Sequence, residues 1–452
     1  MSAYSHLKNK FLNKTADVGV IGLGYVGLPL CMEMVKGGFT VYGIDLDYRK
    51  VESLKNGKSY IQDVPSAEVE AAIHSGRFNP TDDYHMVQKL DAICICVPTP
   101  LSDNQDPDTS YIKSAVREIK KNLKREALII LESTTYPGTT EELIGCELEK
   151  QGLMAGRDFF LCFSPERVDP GNQDFNTHNT PKVIGGKTEA CIRLGVALYS
   201  HVVKQVVTVS SPKVAEMSKL LENTFRSINI AFINEMAMMC DKMDIDVWEV
   251  IGAASTKPFG FMPFHPGPGI GGHCIPLDPM YLSWKAKEFR FYSKFIELAQ
   301  SINDTMPEYV CNKASQVLNK YAKSIRNSKI LILGMAYKPD IDDLRESPGL
   351  ALYELLLESG AYVDYYDPYT SFFQDERGEK VHSVDYNLSA FAQYDCMVLI
   401  TNHSSFNNSE LAGLGVPIID TRNAFADVQS GNIYKLGTGI KGNDVSLLAV
   451  GV

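Results

Sequence analysis

Residues 17–47 read DVGVIGLGYVGLPLCMEMVKGGFTVYGIDLD. An apolar run, a glycine-rich turn, a helix-like segment stopped by Gly37-Gly38 and a second apolar run ending in acid make one β-α-β unit. Within it Gly22, Gly24 and Gly27 have the spacing G-x-G-x-x-G, with Tyr25 and Val26 before the last glycine. Small residues there permit a tight turn, close approach of backbone to a pyrophosphate and close helix–strand packing, while the helix N-terminus favours the anion. Asp45 ends the second strand, where a carboxylate accepts from adenosine ribose hydroxyls and repels a 2′-phosphate. The stretch therefore predicts a dinucleotide site that prefers NAD to NADP.

Downstream, the apolar runs DAICICVP, ALIILESTTYPG and FFLCFSPERV recur, each followed by polar or Gly/Pro residues and joined by helix-like segments. That alternation predicts an α/β fold with a doubly wound parallel sheet. Thr99, Thr134 and Glu166 then follow strand ends, at the carboxyl edge where ligands bind in such sheets. Cys94 and Cys96 sit inside such a run and are expected to be buried packing residues. From Ser210 a breaker-free stretch with Pro212 in its first turn predicts one long helix. At 100° per residue Glu216, Lys219, Asn223, Arg226 and Asn234 share an arc of roughly 80°, which is expected to line a cleft.

A second β-α-β pattern begins at SKILILGMAYKPDIDDLRESPGLALYELLLESGAYVDYYDP, with Gly360 as helix stop and Asp367 as terminal acid. The insertion AYKPDIDDLRES replaces the tight glycine turn, so a ligand other than a second dinucleotide pyrophosphate is expected. The runs YDCMVLITNH and VPIIDTRNAF complete a smaller sheet and put Arg422 just after a strand end, placed to clamp a phosphate or carboxylate.

With 452 residues, 44% of them hydrophobic and 22% charged, the chain has the composition of a multidomain globular protein. A net charge of −11, from 44 Lys+Arg against 55 Asp+Glu, argues against nucleic-acid or anionic-membrane partners. No signal peptide or membrane span is legible, and ten cysteines without framework spacing fit a reducing compartment, so the cytoplasm is the expected location.

Taken in order, GLGYVGLP, VPTP, EST, FSPER, the Lys219/Asn223 helix, GPGIGGHCIPLDP at residues 267–279 and LRESP resemble the nucleotide-sugar 6-dehydrogenases, the UDP-glucose/GDP-mannose dehydrogenase family. The resemblance implies two Rossmann-like domains joined by a long central helix and a helical middle domain. Residues 1–209 would bind NAD, residues 210–325 would carry the catalytic cysteine loop and a dimer interface, and residues 326–452 would bind the UDP-sugar. It implies Cys274 as nucleophile, Lys219 and Asn223 as holders of oxygen at the reacting carbon, and Asp278 with Glu166 and Thr134 for proton transfer and water. Gly22, Gly24, Tyr25, Val26, Gly27, Asp45, Lys50, Thr99, Thr134 and Arg345 would contact NAD. Glu166, Arg167, Lys219, Asn223, Phe264, Gly271, Lys338 and Arg422 would contact the substrate. No metal is implied, and a homodimer or higher oligomer is.

Within the family, TKPFGFMPFHPGPGIGGHCIPLDP and YKPDIDDLRES are most similar to bacterial enzymes that oxidise UDP-N-acetylhexosamines for surface polysaccharides, UDP-N-acetylglucosamine in particular. UDP-N-acetylmannosamine and UDP-glucose are the alternatives. Members acting on UDP-glucose usually carry lysines where this chain has Leu277 and Pro339, which argues against that sugar. Three other readings stand beside this one: a 3-hydroxyacid or 6-phosphogluconate type of dehydrogenase that needs no thiol, a metal site at His273, Cys274 and Asp278, and an NAD-binding sensor without turnover.

Overall fold

The computed structural model describes residues 3–61, 63–102, 106–169, 172 and 174–440. They form two compact units, Met1–Glu222 with Met280–Phe291 and Asn223–Pro279 with Tyr292–Val452.

The first unit is built on an eight-stranded sheet of order β3-β2-β1-β4-β5-β6-β7-β8. Its strands are β1 Asp17–Ile21, β2 Thr40–Ile44, β3 Phe78–Thr81, β4 Ala92–Ile95, β5 Leu128–Leu131, β6 Phe160–Phe163, β7 Lys182–Gly186 and β8 Val206–Val209. Strands β4, β5 and β6 are buried along their whole length, which is why they appear in the sequence as unbroken apolar runs rather than alternating ones. The expected parallel sheet needs one correction. Strand β7 runs antiparallel to β6, with Cys162 opposite Gly186 and Phe163 opposite Gly185. The reversal brings the first residues of β7 to the edge where β5 and β6 end. A helix Ala3–Leu12, which the sequence did not announce, buries Leu7 and Phe11 in this core. Its Lys10 joins Lys124 on the buried Asp91, at 2.9 and 2.6 Å.

Pro212–Met243 is one continuous helix, as the breaker-free run predicts, and the boundary between the units falls within it. The expected polar stripe divides in two. Glu216, Lys219 and Asn234 are buried, whereas Arg226 is exposed and belongs to a solvated face.

The second unit holds a five-stranded, all-parallel sheet of order β10-β9-β13-β14-β15 and a separate antiparallel hairpin, β11–β12. The strands are β9 Lys329–Leu333, β10 Tyr362–Tyr366, β11 Phe372–Gln374, β12 Lys380–His382, β13 Cys396–Leu399, β14 Ile418–Asp420 and β15 Ile433–Lys435. After β9 the chain makes the inserted loop before the helix Pro348–Glu358, where Ser347 caps the first turn by accepting from the Gly349 N–H and Pro348 fills a position that has no use for an N–H. No helix among the described residues is long and apolar enough to cross a membrane.

Candidate active site

In the first unit the glycine turn has the conformation its spacing demands. Gly22 adopts φ +93°, and a Cβ there would lie 2.5 Å from the Cys96 carbonyl oxygen. A Cβ on Gly27 would lie 1.8 Å from the Gly22 carbonyl oxygen, while one on Gly24 would meet nothing within 4 Å. The turn is therefore tight underneath and open above Gly24, which fits a pyrophosphate lying against bare backbone. Tyr25 is exposed beside it, and Val26 leads into the helix Gly27–Lys36. Asp45 accepts from the Leu23 N–H at 2.8 Å through one oxygen and from the Asp47 N–H at 2.9 Å through the other. Each oxygen keeps acceptor capacity for a ribose hydroxyl. Lys50 stands 3.6 Å from the same carboxylate.

Thr99, Thr134, Glu166 and Arg167 follow the carboxyl ends of β4, β5 and β6. Thr99 is buried and its carbonyl accepts from the Tyr281 hydroxyl at 2.8 Å. Thr134 is half-buried in the turn after β5. Glu166 follows β6 and accepts on Oε1 from the N–H groups of Arg167 and Val168, both at 2.9 Å. Arg167 turns its guanidinium to Glu222 and the Pro181 carbonyl. Glu216 is structural, because its carboxyl accepts from the N–H and the hydroxyl of Thr140 at 2.9 and 2.6 Å, and burial raises its pKa. Lys219, one turn further along that helix, is only 7% exposed. Among the described residues its ammonium has no hydrogen-bond or ion-pair partner. A buried cation without a partner is costly, and such groups mark sites where a ligand supplies the missing charge or dipole.

In the second unit Cys274 is exposed at the start of the helix Cys274–Glu288, and Asp278 lies buried one turn later on the same side. Asn223 donates its side-chain amide to the Asp278 carboxylate, so two of the predicted residues meet directly. The glycines before the cysteine are needed where they stand. A Cβ on Gly271 would lie 2.5 Å from Tyr337 Cβ, and Gly272 has φ +85° and donates its N–H to the Arg345 carbonyl at 2.8 Å. Phe264 makes an edge contact with Phe225, ring centroids 5.8 Å apart. Arg345 forks onto Asp343, with Nη2 at 2.6 Å, and Lys338 is half-buried on the inserted loop. Arg422 donates Nε to the Ile400 carbonyl at 2.8 Å, and a Cβ on Gly267 would lie 2.5 Å from its Nη1. Burial pushes its guanidinium down to about 10, against the pull of Asp420. Its two Nη groups have no partner among the described residues and are available to an anion.

Two charged residues of the first unit escaped the sequence reading. Glu132, directly after β5, and Lys182, the first residue of β7, form a buried pair at 2.7 Å. The available signal was a charge abutting each of two apolar runs, LIILE and KVIGG. Among the described residues no group of three or more His, Cys, Asp or Glu is placed to hold a metal ion.

Comparison with known proteins matches the chain to three consecutive domains of one family: the UDP-glucose/GDP-mannose dehydrogenase family, NAD binding domain over residues 16–203, central domain over 213–305 and UDP binding domain over 331–427. A UDP-N-acetyl-D-mannosamine dehydrogenase of Methanococcus maripaludis is 36% identical over 394 residues, 86% of each chain. A UDP-N-acetyl-D-glucosamine 6-dehydrogenase of Pseudomonas aeruginosa is 36% identical over 398 residues, 87% of this chain and 92% of that one. The solved structure of a UDP-D-ManNAc dehydrogenase from Pyrococcus horikoshii superposes with a TM-score of 0.85 at 32% identity, covering 94% of this chain and 100% of the other.

Proposed function

The chain belongs to the UDP-glucose/GDP-mannose dehydrogenase family of NAD-dependent UDP-sugar oxidoreductases, and from that premise we propose that it oxidises C6 of UDP-N-acetylglucosamine to the uronate in two steps, with Cys274 as covalent anchor. The overall change is one UDP-sugar alcohol, two NAD and one water giving the carboxylate, two NADH and three protons. NAD supplies the hydride acceptor in both steps. The observation that carries the reading is Lys219, a buried ammonium with no partner among the described residues.

Such a cation stabilises the alkoxide that precedes each hydride loss. Asn223, anchored on Asp278, can turn its second amide hydrogen to the same oxygen. The Cys274 thiolate, at the positive end of its helix, adds to the aldehyde carbon and retains it as a hemithioacetal. Loss of the second hydride leaves a thioester. Water then adds to the carbonyl carbon, the C–S bond breaks and the thiolate departs, while Glu166 and Thr134 hold the water and Glu166 takes its proton.

We assign residues 1–209 to NAD, 210–325 to the catalytic middle and 326–452 to the UDP moiety, in line with the three matched family domains. Arg422 and Lys338 are the proposed phosphate contacts. A homodimer is supported by exposed apolar residues along the long helix: Val214, Leu221, Phe225, Phe232, Met239 and Met243 fall within one face. Ten free cysteines support a reducing compartment such as the cytoplasm.

For the sugar, Leu277 is buried beside Asp278 where a lysine would offer a charge to hydroxyls, and the exposed Phe259, Phe261 and Met262 offer apolar surface to an acetamido methyl. The named relatives divide between the two C2 epimers at equal identity, which keeps UDP-N-acetylmannosamine as the second reading. The test is kcat/KM and NADH formed per sugar for UDP-N-acetylglucosamine, UDP-N-acetylmannosamine, UDP-glucose and GDP-mannose. UDP-N-acetylglucosamine should lead and yield two NADH. A lead for its epimer would transfer the assignment, and a lead for UDP-glucose would overturn the N-acetyl reading.

A further inference from the structure

The antiparallel strand β7 has a chemical consequence. Continuing the register of Cys162 opposite Gly186 and Phe163 opposite Gly185 by three residues brings Lys182 opposite Glu166. Lys182 is buried, and its ammonium lies 2.7 Å from Glu132 Oε2 and 3.6 Å from Glu166 Oε2. Glu132 is held from behind by the Tyr199 hydroxyl, which also contacts the Cys94 sulfur at 3.6 Å, and the Lys182 ammonium lies 5.2 Å from the centre of the Tyr199 ring. The other oxygen of Glu166 is fixed by the N–H groups of Arg167 and Val168. Among the described residues, every group that sets the direction of the Glu166 carboxylate is thus either backbone or Lys182.

We propose that Lys182, backed by Glu132, is a positioning residue that fixes the direction of the Glu166 carboxylate for the hydrolytic step. The inference rests on the role proposed above for Glu166.

Desolvation pulls the Lys182 ammonium down, but the Glu132 and Glu166 carboxylates outweigh it and hold the charge on. One cation therefore serves two carboxylates. The other groups around this cluster are the Tyr199 phenol and the Cys94 and Cys96 thiols, which burial keeps neutral, and Arg167, whose charge is directed to Glu222.

The test is the split between kcat and KM in the full-length enzyme, with whichever of UDP-N-acetylglucosamine and UDP-N-acetylmannosamine turns over faster, together with intact-protein mass under turnover. Lys182→Met should lower kcat by about 100-fold, the cost of misplacing a catalytic group by about 1 Å. KM should fall with it and kcat/KM stay nearly unchanged, because hydrolysis becomes the slow step, and a sugar adduct should accumulate on the protein. Glu132→Gln, which loosens the ammonium, should act in the same direction with a smaller effect, and Lys182→Arg should restore kcat and clear the adduct. If Lys182→Met does not fold, Glu132→Gln and Lys182→Arg carry the test with the same expected results. An unchanged kcat, or a lowered kcat without adduct, overturns the proposal. Glu166→Gln separates the two ideas. If it accumulates the adduct while Lys182→Met does not, only the positioning role fails; if Glu166→Gln keeps turnover and forms no adduct, the role of Glu166 fails and the proposal with it.

Discussion

The two β-α-β units begin alike and end differently. GLGYV at residues 22–26 and GMAYK at residues 334–338 both open on a glycine with positive φ, +93° at Gly22 and +79° at Gly334. In each case a Cβ would strike a carbonyl of the neighbouring strand's exit, Cys96 O at 2.5 Å or Thr401 O at 2.1 Å. The following strand ends in aspartate in both. There the resemblance stops. Asp45 accepts from two backbone N–H groups and keeps lone pairs for a ribose. Asp367 is buried and accepts from the N–H groups of Met335, Ala336, Tyr369 and Thr370 and from His403 Nε2. His403 in turn accepts at Nδ1 from the Asp340 N–H at 3.0 Å, which fixes its hydrogen on the side of Asp367. The same acid at the same place keeps lone pairs open in one unit, where we propose it meets the nucleotide, and holds an inserted loop in the other.

The comparison predicts its largest effect at Asp367. Replacing it by Ala strands five donors, four of them backbone, and should cost about 3–5 kcal/mol in urea unfolding, since a buried donor left unsatisfied costs about 1–3 kcal/mol and water regains part of the set. NAD affinity should be unchanged; weaker NAD binding at full stability would show that the acid serves the dinucleotide after all. Acid provides a second view of the same group. Although desolvation raises it, the hydrogen bonds from His403 and the backbone prevail and hold the Asp367 carboxyl below its ordinary 3.8. Its contribution is therefore complete above that value and is lost as pH falls through the lower folded value. Asp367→Ala should accordingly lose less stability than the parent on acidification through this window, as followed by circular dichroism.

A smaller effect is expected at Asp45. Asp45→Ala should lower kcat/KM for NAD by about 1.5–3 kcal/mol, the worth of hydrogen bonds to a charged group, and narrow the preference over NADP. An unchanged ratio of the two cofactors would break the contrast between the acids. Smallest of all is Gly24→Ala, which installs the residue found at Ala336 in the second unit. A Cβ there meets nothing within 4 Å, so stability should move by no more than about 1 kcal/mol. Calorimetric titration should nevertheless detect weaker NAD binding, because the methyl group occupies the approach of the pyrophosphate.

How much of this the sequence revealed follows from range of interaction. Gly22 and Gly27 were legible because local backbone geometry excludes a side chain, and the buried strands because three of them are apolar without interruption. The direction of β7 was not, since KVIGG has the same pattern whichever way it pairs, and with it went Lys182 and its partner Glu132. The fate of Asp367 was equally hidden: it depends on His403, 36 residues away in the chain. Lys219 was visible as one member of a polar stripe, but only burial separates it from the exposed Arg226 on the same helix.

The central claim is that Cys274 keeps the sugar attached between two hydride transfers, and it is tested most directly by counting NADH formed per UDP-sugar consumed in the parent and in Cys274→Ala. The parent should form two NADH per sugar and the variant should form no uronate, with NAD binding intact because the glycine turn is untouched. Two NADH per sugar from Cys274→Ala at close to the parent rate would contradict the claim.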